Sequence, residues 1–132
     1  MPVALGLIAT QKSSPTANTR HNIKQLLEYA ATHLDAAVTY LAINMVLAAH
    51  SDASYLSETK AQICAGGHFF MASDIAVPEN NGAVNTVSQM IKTLMSYAAE
   101  AELGALYINC REAILAQHLL EEMGNNQTPT PI

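Results

Sequence analysis

The chain has 132 residues, half of them apolar, with 11 acidic and 6 basic side chains and a formal net charge of −5. That length and apolar content suit one globular domain and argue against disorder. A negative chain whose cations (Lys12, Arg20, Lys24, Lys60, Lys92, Arg111) are scattered lacks the basic patch that strong independent nucleic-acid binding draws on.

Two cysteines, Cys64 and Cys110, belong to no CxxC pair and are expected as reduced thiols of an intracellular protein, cytoplasmic or nuclear. The five histidines show no zinc-ligand spacing and read as ordinary surface or core residues. The opening MPVALGLIAT has no basic n-region, so it is a poor signal peptide. The longest apolar stretch, 36–49, is too short to span a bilayer, and no membrane partner is expected.

In chain order, QKSSPTANTR (11–20) reads as a loop with Asn18 or Thr19 as N-cap. A helix follows over about 22–33, with Ile23, Leu26, Leu27 and Ala30 on one face. AAVTYLA (36–42) and MVLAAHSDASY (45–55) read as two strands turning near Ile43-Asn44. LSETKAQ (56–62) is polar and leads to AGGHFFMAS (65–73), a strand entered through glycines. DIAVPENNGA (74–83) is a turn, and VNTVSQMI (84–91) is either a third strand or a helix start. The pattern is helical over about 93–123, and Gly124 ends the helix before NNQTPTPI.

Two acidic sites stand out. Asp52 ends an apolar strand in HSDASY, where a solvated turn residue is the plain alternative. Glu100 and Glu102 lie two positions apart in AAEAELGAL, about 200° apart around a helix. Glu102 shares its side with Ile91, Met95, Ala98, Ala105 and Leu106, positions expected to pack on a sheet; Glu100 lies with Thr93, Ser96, Tyr97, Gly104 and Arg111. A carboxylate among buried apolar groups needs a partner, a proton or a metal, which Asp52 across from it could help supply. The alternative is a Glu102 at the margin of the buried face with its head in water.

HSDASY resembles the segment that opens the ribonuclease H domain of copia-type retroelement polyproteins. SYAAEAELGAL resembles the Ser-Ser-x-x-Glu-Ala-Glu segment of that domain, AGGHFF its glycine-containing second strand, and LLEEMG its Leu-Leu-x-Glu-Leu-Gly helix end. Upstream, IKQLLEYAATHLDAAVTY (23–40) resembles the stretch linking polymerase to nuclease. The resemblance divides the chain into a linker region, 1–45, and a partial ribonuclease H-like domain, 46–132. It implies a mixed α+β fold: three antiparallel strands, a long helix, and a fourth strand parallel to the first. It also implies a nuclease that cuts the RNA strand of RNA–DNA hybrids, with Asp52 and Glu102 as catalytic, metal-holding residues. Two Mg²⁺ ions roughly 4 Å apart would clamp the attacking water and the leaving oxygen.

The family's third carboxylate lies in an Asp-Asn pair on the fourth strand, and this chain stops at TPTPI, where that strand would begin. Asp74, Glu121 and Glu122 are poorly placed to replace it. AQIC stands where the family carries basic and hydroxyl residues, which weakens contact with the hybrid. The fragment alone is therefore expected to be inactive and to self-associate through a bare edge of its first strand. A non-enzymatic retroelement remnant and an unrelated α+β interaction module remain alternatives.

Overall fold

The computed structural model describes residues 2–55, 63–75 and 77–132. They form two compact units, Met1–Val38 and Thr39–Ile132. No helix among the described residues is long and apolar enough to cross a membrane.

The first unit is a helical hairpin. Helix α1 (Pro2–Thr10) opens with proline, whose missing N–H costs nothing in a first turn. Helix α2 (Ala17–Thr32) begins five residues before the position expected from its apolar spacing. Its N-cap is Thr16 rather than Asn18 or Thr19. Thr16 and Thr19 cap each other's backbone reciprocally, and Thr19 Oγ1 donates to Gln11 Oε1 at 2.6 Å. Thr19 is buried by this arrangement, so the cap also ties the inter-helix turn to α2.

The second unit is a three-stranded antiparallel sheet with one long helix. Strands β1 (Val46–Ser54), β2 (Ile63–Ala72) and β3 (Ala83–Ile91) lie in the order β1-β2-β3. VNTVSQMI is thus strand, not helix. AAVTYLA is not a strand: its backbone is bonded instead by the Asn81 side chain, which accepts from Leu41 N–H and donates to Leu41 O. Tyr40 Oη adds a bond to Ala83 O, and the expected hairpin at Ile43-Asn44 gives way to irregular backbone with Met45 at φ 61°. LSETKAQ lies outside the described residues.

Alternation along the strands sorts side chains onto two faces. Leu47, Ala49, Phe69 and Met71 join Ala113 of helix α3 (Ala98–Glu122) in the main core. Ala48, Phe70 and Ala72 form a second cluster on the opposite face. Helix α3 meets the sheet through Ala101, Ala105, Asn109 and Ala113, four small side chains one turn apart that let it approach closely. It starts later than the apolar pattern suggests, at Ala98, with Glu100 Oε2 accepting from Ser96 N–H at 2.6 Å. It ends as expected at Gly124, φ 88°, where Asn125 N–H reaches Leu120 O and Gly124 N–H reaches Glu121 O.

Residues 125–132 then return along the outer edge of β1. Gln127 Oε1 accepts from Leu47 N–H at 2.9 Å, its Nε2 donates to Met45 O at 3.0 Å, and Pro131 O accepts from Ala49 N–H at 3.1 Å. Partners rise in number together (47 with 127, 49 with 131), so the tail runs in the direction of β1. Gln117 of α3 holds the tail from the other side, donating to Thr128 O and Thr130 Oγ1. The expectation of a bare β1 edge is corrected here: the tail bonds its first half.

Candidate functional site: two carboxylates and a buried amide

Asp52 and Glu102 both stand exposed, on elements that pack together but on different sides of the sheet. Ser51 faces α3, since its Oγ accepts from Asn109 Nδ2 at 2.8 Å. Asp52, the next residue of an unbroken strand, therefore projects from the opposite face. Its register partner is Gly66, on which a Cβ would lie 4.0 Å from Asp52 Cβ, so the glycine leaves space beside the carboxylate. Asp52 Oδ1 accepts from Ala53 N–H at 2.9 Å, turning toward the outer edge of β1 beyond the reach of the tail.

The side of α3 assigned to Glu102 is corrected by the burial. The buried line runs through Ala101, Ala105, Asn109 and Ala113, while Glu102 itself is exposed. Its head is in water, as the plainer alternative had it. Glu100 is occupied in holding the start of α3 through Ser96 N–H.

No three His, Cys, Asp or Glu side chains among the described residues converge on a point. Asp74 lies in the turn after β2, lining a cavity of about 210 Å³ with Ala48, Ile75 and Pro131. Glu121 stands at the far end of α3, 3.8 Å from His118. Mg²⁺ needs several oxygens in near-octahedral array. Asp52 and Glu102, divided by the sheet, do not supply it, and the described residues do not fit the two-ion centre.

What the fold does build between α3 and the sheet is an amide. Asn109, fully buried, donates from Nδ2 to Ser51 Oγ and to Gly66 O, both at 2.8 Å. Its Oδ1 has no hydrogen-bond partner and is aimed at Gly67. The adjacent glycines thus serve different faces, Gly66 beside Asp52 and Gly67 under Asn109. Sequence reading passed over Asn109; the available signal was a polar residue in step with Ala101, Ala105 and Ala113.

On the Asp52 face, His50 and His68 are register partners with ring centroids 6.2 Å apart and planes 13° from parallel. The sequence shows them only as two of five ordinary histidines, because their pairing comes from strand register and not from spacing along the chain.

No family model matches the chain, and no curated protein or solved structure does.

Proposed function

We propose that this chain is a ribonuclease H-like module of the copia-type retroelement kind that does not itself hydrolyse RNA–DNA hybrids. The observation that carries the reading is the course of residues 125–132. After three antiparallel strands and a long helix, the chain returns beside β1, on the edge away from β2 and in the direction of β1. That is the position and direction of the fourth strand in the family the motifs resemble.

The absence of hydrolysis follows from the carboxylates. A hydrolytic centre of this type depends on acidic side chains converging on two cations, and Asp52 and Glu102 leave the module on different sides of its sheet. The scattered cations and net charge of −5 add no electrostatic grip on a hybrid's backbone. Within the retroelement reading, the module acts as a folded unit of a polyprotein and its hybrid is a partner of the assembly.

The test is incubation of the purified chain with an end-labelled RNA–DNA hybrid and Mg²⁺. No cleavage above a buffer control is expected. Mg²⁺-dependent cutting of the RNA strand that disappears in Asp52→Asn would overturn the proposal.

A further inference from the structure

We infer that His50 and His68 form a two-imidazole site for a borderline divalent cation, of the Cu²⁺, Ni²⁺ or Zn²⁺ class, on the sheet face opposite α3. The two residues are direct partners in the β1–β2 register. Facing positions on antiparallel strands hold their Cβ atoms about 4.5–5.5 Å apart, close enough for one ion to bond both rings at about 2.0–2.1 Å per nitrogen. Beneath both rings lies Phe70, fully buried, with centroids 5.2 Å from His50 and 5.3 Å from His68. That floor limits how far either ring can tilt away.

The hydrogen bonds decide which nitrogen is free. His50 Nε2 is 2.6 Å from Asn80 Oδ1, and His68 Nε2 is 3.3 Å from the backbone oxygen of Asn81. Neither oxygen carries a hydrogen, so each ring donates from Nε2. Each neutral imidazole then keeps an unprotonated Nδ1 with its lone pair available. An imidazole that gives one N–H to an oxygen acceptor is the usual arrangement around a bound metal, since it fixes the tautomer and raises the basicity of the other nitrogen. Here two consecutive residues of one turn, Asn80 and Asn81, do this for both rings.

Imidazole nitrogen selects Cu²⁺, Ni²⁺ and Zn²⁺ over Mg²⁺ or Ca²⁺. With no third side chain converging among the described residues, water completes the coordination shell. The site is independent of the proposed nuclease kinship, which concerns hard cations and other residues.

The experiment uses the full untagged chain, with Cu²⁺ and Ni²⁺ as probes. Titration calorimetry with Ni²⁺ should give one ion per chain, with affinity falling at least tenfold in His50→Gln and in His68→Gln. His21→Gln in α2 should leave it unchanged. Electron paramagnetic resonance of the Cu²⁺-loaded chain should show coupling to two imidazole nitrogens, reduced to one in each single variant that retains the wild-type circular dichroism. If neither variant folds, the wild-type nitrogen count decides alone. One nitrogen or none in the wild type, or affinities within twofold of wild type in both folded variants, would overturn the inference.

Discussion

Gly67 and Asn109 interlock: a Cβ on Gly67 would overlap Asn109 Oδ1 and stand 3.0 Å from Asn109 Cγ. The helix amide reaches Ser51 and Gly66 only because residue 67 of β2 has no side chain. Gly67→Ala should therefore destabilise the sheet unit by about 1–3 kcal/mol, as overpacking of a tight interior does. Asn109→Ala should cost a similar amount, about 1–3 kcal/mol, by removing the buried amide's bonds to Ser51 Oγ and Gly66 O. In the double variant the added methyl finds the space the amide left, so the cost of both changes together should be less than the sum of the two single costs. Urea unfolding of the four proteins gives the coupling; strict additivity would mean the two residues do not interlock.

The two glutamates should differ in stability, in the opposite sense to their ranking by apolar face. Glu100→Ala removes the acceptor of Ser96 N–H and an acidic group in the first turn of α3, and should cost about 0.5–2 kcal/mol. Glu102→Ala, on the exposed flank, should stay within about 0.5 kcal/mol of wild type. Thermal melts read both; a larger loss for Glu102 would place it against the sheet after all.

The tail should guard the β1 edge. Gln127→Ala removes bonds to Leu47 N–H and Met45 O, so the amide protons of Leu47 and Ala49 should exchange faster with deuterium. An open strand edge invites pairing with another chain, and the variant should sediment with more dimer at high concentration. Unchanged exchange at both amides would show that the tail does not lie on this edge.

Several features of this fold were legible in the sequence for physical reasons. Glycine entry with Phe69-Phe70 marked β2, the Pro78-to-Gly82 turn formers marked the β2–β3 connection, and Gly124 marked the end of α3. Others depended on distant partners. AAVTYLA has strand-forming residues, yet the backbone of Leu41 is bonded by Asn81, 40 positions away in the sequence. Thr16 competes with Asn18 and Thr19 as equally good cap types, and the reciprocal bonds with Thr19 select it.

The candidate site was legible as residues but not as an arrangement. The face drawn through Ile91, Met95, Ala98, Ala105 and Leu106 included Ala105 but not Ala101, because it ran the helix back through residues that precede Ala98, with Ile91 in β3. Which face Asp52 takes could not be read, because β1 is apolar at both parities (Leu47 and Ala49, Val46 and Ala48) and only the docking of α3 distinguishes them.

The separation of Asp52 from Glu102 is the point on which the functional account turns. A Mg²⁺ titration followed by carboxylate carbon shifts in nuclear magnetic resonance tests it directly. Asp52 and Glu102 should respond weakly and independently, and Asp52→Asn should leave the Glu102 curve unchanged. Both carboxylates saturating along one curve, with Asp52→Asn abolishing the response of Glu102, would contradict the account and restore a shared metal centre.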